Sequence, residues 1–455
     1  MLGFRDRSRR RLPLGRRDIF GLNALHRVSL RVALANINAY AELYAVLKEE
    51  ENLEEQAIKV AEEMINEFIS VCGILVVDVP VALPRERFQK HTFLSMELEL
   101  QRLGVDCSSR FRFQSFDQLR RLAVGFRFPE GEIVCKKRYR ATAEEIILIS
   151  LTRLSFPCRW EDMYDRFPGR KAQALQIFFY YFLDFLCNNW GYLLVNNMTY
   201  WLPHLAESCK AIEKKLANLH HVDWRLRFEP GEFRYCCFID NTILAFCRPG
   251  GVLEDGEAGE RVPVELQEAF FSGWKKLHGM KFETVVLANG MDLTVYGPET
   301  VRHNDLYMKR ASQVEERFKA LQQGQPRYFK IFGDSAYVDT DTVGTGGGRG
   351  MASVRETIEW SYKDLKVLWK YCDYRHVLKI NKQPVAKIVF ICLLLRNAHV
   401  TMCGAQGGEF LDMPPPTFEN WLSQGPCANP LPLNCFFHPD FEHVEGSDED
   451  SDEEG

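Results

Sequence analysis

The sequence predicts an α/β domain, a mixed sheet flanked by helices, preceded by an all-α domain with a helix-turn-helix-like segment. Two observations carry this expectation. From residue 105 to 220 the apolar spacing reads as helix after helix, and after residue 228 short β-branched and aromatic runs replace it. The composition, 46% hydrophobic and 26% charged, suits a folded chain, and 455 residues fit two or three domains.

In the helical half, one stretch stands out. An apolar helix over the IILISLTRLS run is followed by Pro157, a short helix at Trp160–Phe167, a Pro168–Gly169 turn and a long helix. That is helix-turn-helix spacing, and an ordinary helical bundle has the same outline. No run of about 18 uninterrupted apolar residues appears. The nearest, Phe178–Val195, holds Asp184, Asn188 and Asn189 and reads as a buried core helix, so no membrane partner is expected.

The strand candidates are Tyr235–Ile239, Thr284–Ala288, Leu293–Tyr296 and Tyr328–Phe332, with a helix from Asp305 to Leu321 before the last. Asn289 and Gly290 make a hairpin turn between the second and third. Three antiparallel strands and then a crossover that returns the fourth beside the first is the opening of an RNase H-like domain. Two more helices are expected at 351–371 and 384–399. The Gly-rich 344–350 segment lacks the Gly-Lys-Ser/Thr of a phosphate-binding loop.

The charge is unevenly laid out. The last 16 residues carry nine acids and no Lys or Arg, and the first 17 carry seven Arg and one Asp, within a net charge of −5. The middle is close to neutral, so attraction to nucleic acid must come from local patches or from the leader. Residues 1–20 read as a basic, unfolded leader. It fits a solvated tail, nuclear targeting or contact with a DNA backbone, and the nucleus is the expected location. Asp6, Asp18 and Pro13 weaken a mitochondrial presequence, and no secretory signal is visible. Residues 21–104 form a helical N-terminal region, 105–225 the helical domain, 228–400 the α/β domain, 401–440 a Pro-containing extension and 441–455 an acidic tail. The 14 cysteines show no CxxC pair and read as mostly buried thiols.

Asp240 and Asp334 each end a strand, in FIDNT and FGDSAY. On adjacent parallel strands the two carboxylates emerge together, an arrangement that calls for a cation between them, with Mg2+ or Mn2+ the natural choice. Glu359 lies on a helix whose spacing puts Arg355, Glu359, Tyr362 and Lys366 on one face. A Glu between two cations suits a metal-bound phosphodiester, and a salt-bridged surface helix has the same pattern. Lys275, Lys276, His278 and Lys281 cluster before the second strand, as DNA-backbone contacts or a solvated surface.

These residues resemble the PIF/Harbinger transposase-derived nucleases, a DDE superfamily. The resemblance runs from FRFQSFDQLRRL (111–122) through FIDNTILAFCRP (238–249), FFSGWKKLHGMKFETVVLANG (270–290), GPETVRHNDLYMKRAS (297–312) and FGDSAYV (332–338). It continues through MASVRETIEWSYKDLK (351–366) and PVAKIVFICLLLRNAH (384–399) to PPPTFENWL (414–422). It implies a divalent-metal-dependent DNA endonuclease or transposase with Asp240, Asp334 and Glu359 as catalytic and metal-binding triad. Two ions would activate a water, or in transposition a 3′-hydroxyl, and stabilise the departing oxygen. Asp305 aligns with the aspartate of the family's His-Asp segment, although Asn304 here separates it from His303. It is a further metal candidate or a helix N-terminal carboxylate. The resemblance also implies a Myb-like DNA-binding partner protein, and an oligomer is compatible with it. The alternative is a domesticated, catalytically silent protein that keeps the fold and binds DNA or a partner. One departure stands out: only 25 positions separate Asp334 from Glu359, little room for the helix and strand expected there.

Overall fold

The computed structural model describes residues 91–427 except 196, 221–233, 251–263, 324–328, 346–347 and 381–382. The basic leader, most of the N-terminal helical region, the boundary expected at 225–228 and the acidic tail lie outside the described residues.

The helical segment comprises α1 (Phe93–Leu103), α2 (Cys107–Phe111), α3 (Phe116–Gly125), α4 (Ala143–Ser155), α5 (Ala172–Trp190) and α6 (Met198–His220). Thr92, Ser115 and Thr142 cap α1, α3 and α4, each accepting the backbone N–H three residues on, which satisfies a donor the helix leaves orphaned. A small hairpin, β1 (Glu132–Val134) with β2 (Arg140–Thr142), interrupts the helices and had no counterpart in the sequence reading.

The helix-turn-helix-like outline is present as α4, a single 3-10 turn at Glu161–Met163, and α5. Beyond Gln173, however, no residue of α5 is exposed. Phe178, Phe179, Phe182, Leu186 and Trp190 are buried, so α5 is a core helix with no free polar face for reading DNA.

The sheet contains β3 (Arg234–Ala245), β5 (Leu277–Leu287), β6 (Asp292–Thr300), β7 (Phe329–Phe332) and β8 (Val343–Gly344). Its order is β6-β5-β3-β7-β8, and β4 (Phe271–Ser272), after α7 (Val264–Ala269), adds a rung at the start of β5. The first three strands pair antiparallel; β7 and then β8 run parallel to β3. Gly290, with φ +84°, turns β5 into β6 as its sequence position suggests. The expected helix at 305–321 is broken into α8 (Asp305–Ala311) and α9 (Val314–Gln322), with Gln313 between them at φ +53°. In the short Gly-rich connection the expected strand survives as the two residues of β8.

A single buried cluster runs from Phe93 to Leu422, so the helical segment and the sheet share one core. At its centre lies α11 (Val385–Cys403). This helix is long and apolar enough to cross a membrane, with mean hydropathy 1.6, but 78% of it is buried within the protein, as expected of a core helix. After it come α12 (Gln406–Leu411) and α13 (Phe418–Trp421); Phe418 and Trp421 close over Phe126. Among the described residues the cysteines are free thiols, eight of them buried.

The long helix α10 (Gly348–Leu368) positions the site. Met351, Val354, Ile358 and Tyr362 form its buried stripe against Phe238, Val286, Ala288 and Phe332 of the sheet. Each large apolar side chain buried there contributes about 1.5–3 kcal/mol, enough to fix which way the opposite faces of α10 point.

Candidate active site

The parallel pairing of β3 with β7 ends at Phe238 opposite Phe332. Two residues further along each strand stand Asp240 and Asp334. Asp240 is still inside β3 and Asp334 lies just past the end of β7, near enough for its charge to act on the Asp240 carboxyl. Burial pushes the Asp240 carboxyl up to about 6; the Asn241 N–H and the Arg355 guanidinium pull it down, and the nearby Asp334 and Asp305 carboxylates push it up. Asp334 accepts the Ala336 N–H at 2.9 Å, a turn that folds Tyr337 back beneath the strand end. Gly333 makes room for that ring: a Cβ there would lie 2.7 Å from it.

Helix α10 reaches the same edge. The Tyr362 hydroxyl donates to the Asp240 carbonyl at 2.7 Å and is 2.8 Å from the Thr284 hydroxyl, and Thr284 is the residue paired with Asp240 across β5. Two turns back on the helix, Arg355 lies 3.6 Å from the Asp240 carboxylate and 2.9 Å from that of Glu359. Those two contacts through one planar guanidinium hold the Asp240 and Glu359 oxygens within about 9 Å of each other. The structure thus brings Asp240 and Asp334 together and sets Glu359 beside them with Arg355 between. Among the described residues no three His, Cys, Asp or Glu side chains converge closely enough to hold a metal ion.

Asp305 opens α8, but its carboxylate does more than meet the helix end. Its Oδ1 accepts Asn241 Nδ2 at 3.0 Å and pairs with Lys281 Nζ at 2.7 Å. Asn241 also donates to the Tyr337 hydroxyl at 2.7 Å. Lys281 is 8% exposed and donates to the His303 carbonyl, so its ammonium faces inward, not toward a ligand in solvent. The cause is register: Lys281 pairs with Ile243 inside the sheet. Lys275 and Lys276 are exposed in the β4–β5 turn. His278 is half-buried, its pKa lowered by burial and by Arg248.

Beyond Glu359, α10 borders a groove of about 480 Å³ lined by Tyr362, Lys363, Lys366, Val367, Lys370 and Asp373. Lys366 therefore sits beside Glu359 as its spacing suggests, flanked by Lys363 and Lys370. Asn241, Glu283, Tyr337, Lys363 and Lys370 also line or support the site and are not singled out by sequence pattern. Burial pushes the Glu283 carboxyl up to about 7, against a hydrogen bond with Ser312 and with repulsion from Asp305. Two of these nonetheless have a local signal. Asn241 follows Asp240 in the strand, and Tyr337 stands three residues after Asp334, where a turn returns it.

A family model described as DDE superfamily endonuclease matches residues 259–397. The matched span takes in Asp305, Asp334, Arg355, Glu359 and Lys366 and begins after Asp240, whose place in the site rests on strand register. No curated protein and no solved structure matches the chain.

Proposed function

We propose that this chain is a divalent-metal-dependent DNA endonuclease or transposase of the PIF/Harbinger type, built on an RNase H-like sheet, with Asp240, Asp334 and Glu359 as its catalytic and metal-binding acids. The observation that carries the reading is that Asp240 and Asp334 each lie two residues past the last β3–β7 pair, while Arg355 of α10 bridges Asp240 to Glu359. The strand order, three antiparallel strands followed by two parallel ones on the far side of the first, supports the RNase H-like assignment.

The donor set suits Mg2+ or Mn2+: hard carboxylate oxygens from Asp240, Asp334 and Glu359, with Asp305 behind Asn241 as a further acid. When bound, such ions lower the pKa of an attacking water and stabilise the departing oxygen. The chain's own residues set up the rest. Tyr362 and Thr284 fix the backbone at Asp240, Lys281 neutralises Asp305, and Arg355 offsets the charge between Asp240 and Glu359. Lys366, with Arg355, is placed to hold phosphate oxygens, and Lys275, Lys276 and His278 offer a second cationic surface. DNA in the nucleus is the proposed substrate, with a Myb-like partner supplying sequence recognition.

The test is nicking of supercoiled plasmid in Mg2+ or Mn2+, with and without a Myb-like partner. Wild-type protein cuts, EDTA abolishes cutting, and Asp240→Asn and Glu359→Gln each lose about a thousandfold or more. Cutting that survives both substitutions counts against the assignment. A second reading, a silent DNA- or partner-binding protein, is favoured by one observation: Arg355 occupies the space between Asp240 and Glu359, and the acids do not converge. Folded protein that binds DNA and never cuts it would establish that reading.

A further inference from the structure

The β4–β5 hairpin carries a residue that the fold itself does not use. Trp274 is 92% exposed, the most exposed of the large hydrophobic side chains in the described residues. Surface aromatics of this size normally bury much of their ring, so a nearly bare one is informative. The turn that presents it is well built: Phe271 and Ser272 pair with His278 and Leu277, and the Ser272 hydroxyl accepts the Lys275 N–H at 3.2 Å. Lys276 completes the turn at φ +53°. Lys275 and Lys276 follow Trp274 directly, and among the described residues neither has an ion-pair partner.

The hairpin's position matters as much as its chemistry. Strands β3 and β5 continue past the edge where β7 stops, pairing through Ala245 and Gly279. Thr284 faces Asp240, and Leu277 lies seven residues further along β5, about 23 Å at 3.3 Å per residue. The ribbon therefore projects from the edge that holds Asp240 and Asp334, with Trp274 at its tip.

We infer that the hairpin tip is a nucleic-acid contact in which Trp274 stacks on an unpaired base while Lys275 and Lys276 hold the adjoining phosphates. The inference rests on the reading of the chain as acting on DNA, and it adds a substrate feature: a single-stranded stretch flanking the strand that lies at the acids. Stacking tolerates any base, because every base offers a π-face, and flanking cations supply the backbone attraction. Two cations directly beside the ring favour a polyanion as the occupant. Here the ring is bordered by two bare ammonium groups and, below them, by His278 and Phe271 packed on each other at 5.1 Å.

The experiment measures metal-free binding in EDTA, by fluorescence anisotropy, of full-length protein to a labelled 15-nucleotide dT strand and to a blunt 20-base-pair duplex. Trp274→Ala weakens binding to the dT strand about tenfold and leaves the blunt duplex within about twofold. Trp274→Phe, which keeps a ring, recovers most of the loss. Replacing Lys275 and Lys276 together by Ala lowers the slope of log affinity against log salt for dT by about 1.4. Unchanged dT affinity in Trp274→Ala overturns the inference, as does wild-type protein that binds neither DNA. A shift in sedimentation of Trp274→Ala without a change in DNA binding also overturns it and assigns the tip to self-association. Plasmid nicking by Asp240→Asn, measured separately, tells loss of this contact from failure of the nuclease reading: a silent protein can still show the Trp274 effect.

Discussion

Two of the arginine–aspartate pairs among the described residues, one buried and one half-open to solvent, separate what holds the fold from what surrounds the candidate site. Arg396 on α11 and Asp292 at the start of β6 are each 1% exposed and 3.0 Å apart. Arg396 also donates to the Gly290 carbonyl at 2.7 Å, while Asn397 pairs with both the N–H and the carbonyl of Asp292. This pair is sealed from solvent, with Asp292 Oδ1 and Arg396 Nε left without partners, and it ties the β5–β6 turn to the central helix. Arg355 lies 3.6 Å from Asp240, is 21% exposed, and shares itself with Glu359, which is 54% exposed. The first pair is desolvated and held from several directions. The second is longer and partly open to solvent, which suits the ligand-holding role proposed for it.

Breaking the closed pair should have the largest effect on stability. Arg396→Met leaves the Asp292 carboxylate buried without its cation, which costs about 3–5 kcal/mol. That is a large share of the roughly 5–15 kcal/mol that holds a folded protein together. The urea midpoint should fall sharply, and Asp292→Asn in the same chain should restore part of it, since no unpaired charge then remains. A midpoint within experimental scatter of wild type in Arg396→Met would erase the distinction between the two pairs.

The two arginines also show where the sequence is readable. Arg355 was legible because Glu359 and Lys366 repeat on its helix face, whereas Arg396 sits in an apolar run whose periodicity marks only burial. The strands followed the same logic. Tyr235–Ile239 was visible as an apolar run, but β3 continues to Ala245 through Asp240, Asn241 and Thr242, polar residues that serve the sheet edge and so break the strand pattern. Asp240 was found where the apolar run stops, but it does not end its strand as expected: β3 runs on for five more residues, and Asp334 lies two residues past the end of β7. The inward role of Lys281 was not found, because it depends on register with β3, which no local pattern encodes. Hairpin β1–β2 and strand β8 are too short to carry periodicity, and β8 exists only as a neighbour of β7.

The looser pair should show itself through pH. With burial raising the Asp240 carboxyl from 3.8 to about 6, the folded chain binds a proton more tightly than the unfolded chain does. The stability this contributes is full below about pH 4 and is lost as pH rises through about 6, at most about 3 kcal/mol. Glu283 titrates close by, with a value of about 7, so the clean measure is the difference between wild type and Asp240→Asn across the range. The two should be equally stable near pH 3.5, with the variant ahead at pH 7. Cutting should run the opposite way, rising through pH 6 as Asp240 ionises. Parallel stability curves for the two proteins would mean that folding does not raise the Asp240 carboxyl.

The smallest effect belongs to Arg355 itself and decides what the loose pair is for. Its guanidinium stabilises ionised Asp240 and Glu359 in the absence of any other cation, so it competes with whatever cation the acids take up. Because these contacts are partly exposed and screened, the competition is worth well under 1 kcal/mol, and Arg355→Gln should tighten Mn2+ binding by about threefold in a spectroscopic titration. The same change removes a phosphate contact, so the salt slope for duplex binding should fall by about 0.9. The two shifts have opposite consequences for the protein, tighter metal and weaker DNA, as expected of a cation that sits between the acids and the phosphates. If Mn2+ binding weakens instead, Arg355 holds Glu359 in place for the metal, and the site pair then resembles the buried Arg396–Asp292 pair in purpose, differing only in exposure.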